Sequence, residues 1–268
     1  MRRLLLAASL LATAGPLYAQ DRPVRTDVEN IFNDAGFIVR APLRASAADW
    51  RTAGLVAGGF GLLLLADAPV HEWLRANPGS LPVRLLEPFG ESSPVNLVGR
   101  TFQFLVPLSA ALYASGHVFD SDDLKDAGLG CFTTNLTTTL TRVGLSLLVG
   151  RLRPRYDGGA FVFEALGGMG GWDMRSFPGG HAANVMSCAS YFNNRFDLGL
   201  AEPAIWATAA GVGLARVPDG AHWSSDTFAG MAYGYAVGKG VAGRFQARAD
   251  ARERSLQPLL RLGFRYHF

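Results

Sequence analysis

Apolar residues gather in six stretches of helical length, at 52–66, 101–119, 127–149, 182–196, 203–217 and 227–241. None of them alternates apolar and polar positions as a half-buried strand does. The segments between them are polar or rich in Pro, Gly and Ser. Residues 21–48 are polar and mixed, as in a loop or surface helix leading into the core. Asp67 and Pro69 interrupt the first stretch, and 76–96 reads as a connecting loop. The pattern predicts an all-α, six-helix bundle around one core. The end of the chain departs from it. Leu262, Phe264, Tyr266 and Phe268 alternate with Arg261, Gly263, Arg265 and His267, a period of two that predicts a short strand-like tail. One strand cannot close a barrel, which argues against outer-membrane insertion.

The first 20 residues stand apart. Arg2 and Arg3 precede the apolar run from Leu4 to Leu11, and small residues follow, with Ala14 and Ala19 offering cleavage points. This is the pattern of a signal peptide at 1–20, or of an anchor if it is not removed, and either way the chain is exported. A helical domain at 21–245 and a tail at 246–268 complete the expected organisation. No internal repeat or low-complexity segment is present.

Composition narrows the partners. Of 268 residues, 49% are apolar, oilier than most soluble enzymes. The net charge of +3 comes mainly from arginine, since Lys125 and Lys239 are the only lysines. A basic balance suits anionic partners, and the absence of a basic run interleaved with aromatics argues against nucleic acid. Several stretches approach the ~20 apolar residues of a spanning helix. Arg142, however, lies inside one, and Asn193, Asn194 and Arg195 end another early. An ionisable residue within a span usually faces the protein interior. The expectation is a membrane-associated bundle in the inner membrane with a periplasm-facing site, and a soluble periplasmic bundle is the alternative. Cys131 and Cys188 both lie in apolar helical stretches. Two buried thiols is the plainer reading, with a disulfide as the alternative in an exported chain. The oligomeric state leaves no trace in the sequence.

Three short segments carry candidate chemistry. In Gly150-Arg151-Leu152-Arg153-Pro154, the proline places Arg153 where a helix ends, free to fork onto an anion. Alone, it reads more plainly as a basic helix C-terminus or a membrane-flanking anchor. In Ser176-Phe177-Pro178-Gly179-Gly180-His181, two glycines before a helix admit close backbone approach to an anion, and His181 beside them can donate a proton. The third segment runs Arg216-Val217-Pro218-Asp219-Gly220-Ala221-His222-Trp223-Ser224-Ser225-Asp226. His222 and Asp226 are four apart, and on a helix the carboxylate would fix the imidazole tautomer and leave the other nitrogen free to attack. Arg216 can return to the same pocket. His181, His222 and Asp226 could also hold zinc by residue type. Two arginines in the same pocket repel a cation, so no metal or cofactor is expected.

The order Arg-x-Arg-Pro, Ser-Phe-Pro-Gly-Gly-His, Arg-x5-His-x3-Asp resembles the three-part signature of the type-2 phosphatidate phosphatase superfamily, which includes class A acid phosphatases and vanadium haloperoxidases. The resemblance implies that superfamily's six-helix core and a phosphatase acting on a phosphomonoester or a lipid phosphate or diphosphate. It implies His222 as the nucleophile forming a phosphohistidine, Asp226 as its orienter and His181 as the general acid. Arg153, Arg216 and the Gly180 amide would hold the phosphate.

Two positions depart from the family pattern. Ser146 stands where the family has a lysine, two turns before Arg153, and Arg142 one turn earlier is the candidate substitute cation. Gly179 stands where the family has a serine and keeps only its amide. These departures leave a catalytically impaired phosphate- or lipid-head-group binder as the alternative to an enzyme.

Overall fold

The computed structural model describes residues 24–265 apart from 157, so the expected leader at 1–20 lies outside the described residues. In chain order the helices are α1 (Val24–Val39), α2 (Ala47–Ala76), the short α3 (Leu81–Leu86), α4 (Val106–Val118), α5 (Asp122–Val149), α6 (Gly180–Arg195), α7 (Ala201–Ala215) and α8 (Ser224–Arg265). Among the described residues there is no strand, only isolated bridges from Arg151 to Phe163 and to Arg175. The fold is all-α, and each of the six apolar stretches belongs to a helix.

Three local expectations are corrected. Asp67 and Pro69 do not end the second helix, which continues to Ala76. Its start is fixed by a capping box in which the Ser46 hydroxyl accepts from the Asp49 amide and the Asp49 carboxylate accepts from the Ser46 amide. Asp67 is buried against α8 rather than solvated at a helix end, so tertiary bonds hold the helix together near Pro69. The segment 76–96 is not all loop: it contains α3 and a 3-10 turn at Glu87–Phe89, and a second 3-10 turn begins at Pro94. At the C-terminus, α8 extends through Arg265, so 262–265 are helical and not strand. An isolated strand would leave its backbone groups unpaired, whereas an extended α8 pairs them within the helix. Residues 266–268 of the expected strand lie outside the described residues.

Helix α6 is the axis of the bundle, with every residue from Ala182 to Tyr191 buried. It packs against α5, α7 and α8, while α4 lies on α5 and α2 lies on α8. The α6–α8 contact is backbone against backbone. Gly230, Gly234 and Gly238 recur every four residues on α8, and a Cβ at each would lie 2.4, 2.2 and 2.2 Å from the carbonyl oxygens of Gly179, Ala183 and Ser187. Only hydrogen at those positions permits the approach. Helix α1 is joined to the bundle by polar bonds: Asp34, fully buried, receives Arg244 and Arg248 of α8, and Asp27 accepts from the Tyr113 hydroxyl.

Cys131 and Cys188 form a disulfide between α5 and α6. The expectation of two free thiols is corrected because the two helices bring the Cα atoms to 4.9 Å, within bridging range. The close approach continues at Gly130, where a Cβ would overlap the Tyr191 ring. The Tyr191 hydroxyl instead reaches past it to the Asp126 carbonyl at 2.7 Å.

Candidate active site

The three motif segments meet at the N-terminal end of α6. Helix α5 ends because Gly150 takes a left-handed conformation (φ 54°), and a Cβ there would lie 2.1 Å from the Glu164 carbonyl oxygen. The chain then runs without helix past Arg151 and Arg153. The second segment leads into α6 at Gly180, and the third is the turn between α7 and α8.

Together they surround a pocket of about 470 Å³ lined by His181, His222, Gly180, Arg142, Arg153 and Arg216. These are six of the predicted site residues. Gly179, Ser146 and Asp226 lie outside it. Gly179 spends its amide on the Asp226 carbonyl at 2.9 Å and packs against the start of α8. Ser146 is buried under Gly168 with its hydroxyl unpartnered, so the position where a lysine was expected does not open into the pocket.

The imidazole of His222 is almost fully buried, and its Nδ1 lies 2.6 Å from the Ser176 carbonyl oxygen. A carbonyl only accepts, so Nδ1 carries the proton and Nε2 keeps its lone pair. The expected bond from Asp226 to His222 is absent. His222 precedes α8 instead of sharing a helical face with Asp226, and this removes the premise of the four-residue spacing. Asp226 is linked to the ring through Ser176. Its Oδ2 accepts from the Ser176 hydroxyl at 2.5 Å and the Trp223 amide at 3.2 Å, and its Oδ1 accepts from Arg151 Nη1 at 2.6 Å. Burial raises the Asp226 pKa, opposed by Arg151 and the Ser176 hydroxyl. With both oxygens accepting, the ionised carboxylate matches these bonds.

The guanidinium groups that line the pocket differ in what already holds them. Arg153 donates to the carbonyls of Trp172 (2.8 Å), Arg175 (3.1 Å) and Ala221 (3.2 Å), so three of its five N–H groups brace loops and two are left for a ligand. Burial, then the charges of Arg155 and Arg216, push its pKa down to about 10, still fully charged at neutral pH. Arg216 is paired with Asp219 at 2.9 Å and approached by Glu91 at 3.5 Å. Arg142 has no hydrogen-bond partner among the described residues, and its Nε is buried. Its guanidinium lies against Gly180, where a Cβ would sit 3.1 Å from Cζ.

These charges act on the histidines. Burial, then Arg216, Arg100 and Arg142, push His181 down to about 4. Burial, then Arg153 and Arg216, hold His222 well below the ordinary imidazole range. Both are neutral at pH 7.

Five contributors were not assigned from sequence: Arg151, Asp67, Ser176, Arg100 and Glu91. Arg151 is fully buried between Asp67 and Asp226. Ser176 stood in a quoted motif without a role. Arg100, which bonds Gln103 at 2.9 Å, and Glu91 line the pocket from the segment read as loop and its continuation. The signal for Asp67 was available: a lone carboxylate in an apolar helix faces the interior and implies a buried partner.

The comparisons with known proteins point to one family. The family model described as PAP2 superfamily matches residues 127–250, which contain all three segments. The lipid A 1-phosphatase of Rhizobium etli is 30% identical over 210 residues, covering 72% of this chain and 82% of the relative. That of Rhizobium johnstonii is 35% identical over 189 residues, covering 64% and 70%. That of Porphyromonas gingivalis is 28% identical over 209 residues, covering 66% and 46%. No solved structure matches the chain. The chain therefore belongs to the type-2 phosphatidate phosphatase (PAP2) superfamily and is a phosphatase.

Proposed function

We propose that the protein removes a phosphate from a lipid-borne phosphate ester of the lipid A type through a phosphohistidine on His222. The observation that carries this is the His222–Ser176 contact, which leaves an unprotonated Nε2 in a pocket of net positive charge. Phosphate held by Arg142, Arg153, Arg216 and the α6 N-terminus at Gly180 presents phosphorus to Nε2. The bond to the leaving oxygen breaks as the N–P bond forms, and His181 supplies the proton that oxygen needs. A bound phosphate dianion raises the His181 pKa that burial and the arginines lower, so the acid is charged by the substrate it serves. Water then attacks phosphorus, with neutral His181 taking its proton, and His222 is released. Arg142 supplies the charge that Ser146 cannot.

The three relatives named lipid A 1-phosphatase support a glycolipid phosphate as substrate. The surface supports a membrane location. Among the described residues α2 is the one helix long and apolar enough to cross a bilayer, and it is almost entirely unburied. Trp50 and Trp73 are exposed near its two ends. They stand roughly 34 Å apart along the axis at 1.5 Å per residue, close to the ~30 Å hydrocarbon thickness that interfacial tryptophans bracket. The disulfide supports an exported, oxidising setting for the pocket.

The test is phosphate release from lipid A, phosphatidic acid and a soluble chromogenic monoester, each beside His222→Ala, with brief incubation on labelled substrate to trap base-stable, acid-labile phosphoprotein. Release and trapping by the wild type alone are expected. Equal release by the two proteins would overturn the proposal.

A further inference from the structure

The bonds around Asp226 extend further than orientation of the histidine requires. Arg151 is 0% exposed, and each end of its guanidinium meets a carboxylate that is itself 0% exposed: Asp67 of α2 at 2.8 Å and Asp226 of α8 at 2.6 Å. Asp67 also accepts from the Ser225 amide at 3.0 Å and contacts the Ser225 hydroxyl, which bonds Arg151 at 2.7 Å. Two buried carboxylates and one guanidinium leave a net charge of −1. With Arg151 and Asp226 alone the net charge would be zero, and Asp226 would have little field left to exert on Ser176 and His222.

We propose that Asp67 is a positioning residue for catalysis, which engages Arg151 and so preserves the negative charge that Asp226 directs through Ser176 onto His222. The role rests on His222 being the nucleophile. When Nε2 bonds to phosphorus the ring becomes positively charged, and a buried net negative charge behind Nδ1 stabilises that ring in a site where burial weakens screening. Asp67 also makes the bilayer-facing α2 part of the catalytic unit. The other charged and titratable groups facing His222 are Arg153, Arg216 and His181, with Arg142, Glu91 and Asp219 beyond them. None of these is altered in the variants below.

Charge counting separates this role from a merely structural one. Asp67→Asn brings the buried set to zero, Arg151→Gln brings it to −2, and the double variant returns it to −1. In the full-length protein in detergent, the acid limb of the kcat/KM profile is expected to move down by about one pH unit in Asp67→Asn, up by a similar amount in Arg151→Gln, and back to the wild-type position in the double variant. Vanadate copies five-coordinate phosphorus and reads the same charge without turnover. Its affinity is expected to fall about tenfold in Asp67→Asn, rise in Arg151→Gln and recover in the double variant. Either single variant gives the sign if the other does not fold. Shifts of the same sign in both singles, or no shift in either, would overturn the proposal. Absence of phosphate release by the wild type bears on the phosphatase mechanism instead, and the vanadate series then decides the role of Asp67.

Discussion

The Ser176 carbonyl oxygen and His222 Nδ1, 2.6 Å apart, set which ring nitrogen keeps its lone pair. Ser176 thus stands between Asp226 and the histidine, with its main chain on the ring and its hydroxyl on the carboxylate. Ser176→Ala keeps the carbonyl and removes one of the donors to a buried Asp226. A loss of about 1–3 kcal/mol in stability is expected, with kcat lowered roughly ten- to a hundredfold and KM little changed. Steady-state kinetics beside a denaturant titration checks both.

Arg142 is the pocket guanidinium with no bond to give up on binding. Arg142→Ala should raise the inhibition constant of inorganic phosphate by about ten- to a hundredfold, and Arg142→Lys should recover part of it. Ser146→Lys, which writes the family's usual residue into this chain, should not rescue Arg142→Ala, because its side chain would start beneath the Gly168 loop outside the pocket. Phosphate inhibition of the three variants is the measurement.

Gly234 allows α8 to approach α6, and a Cβ there would meet the Ala183 carbonyl oxygen at 2.2 Å. Gly234→Ala should lower stability by about 1–3 kcal/mol or more despite alanine's better helix propensity. Gly243, on the same helix with nothing within 4 Å, is the control, and Gly243→Ala should be neutral or slightly stabilising. Thermal unfolding of the two variants decides.

His181 is neutral in the folded protein down to about pH 4, whereas unfolded histidine protonates near 6.5. As pH falls through that interval the unfolded chain takes up a proton that the folded chain refuses. This contribution is therefore fully present above pH 6.5 and is lost progressively towards pH 4. His181→Gln should flatten that part of the stability–pH curve, measured by urea unfolding at pH 7 and pH 5.

Helix positions were legible because apolar runs of that length have few other uses, and the three site segments because Gly, Pro, Arg and His cluster at their ends. The link between His222 and Asp226 was misread for a definite reason. The four-residue spacing is meaningful only on a helix, and α8 begins at Ser224, after His222. Asp67 alone carried a local signal, but its pairing with Arg151 spans 84 residues, which no local pattern encodes. The pairing of Cys131 with Cys188 was open for the same reason. The strand expected at 262–268 had a real local pattern, but among the described residues nothing offers it a partner strand.

The Cys131–Cys188 bond closes a covalent ring around the chain that supplies Arg142, Arg151, Arg153, Ser176, Gly180 and His181. A protease that nicks the exposed stretch near Phe161 would open that ring without separating its halves, so every one of those side chains remains tethered to the bundle. The third segment, with Arg216 and His222, lies outside the ring but follows Cys188 on the same fragment, so the bond tethers it as well. Nicked protein should therefore run as one molecule until a reductant is added, and production in a reducing cytosol forfeits that safeguard before the enzyme meets any substrate.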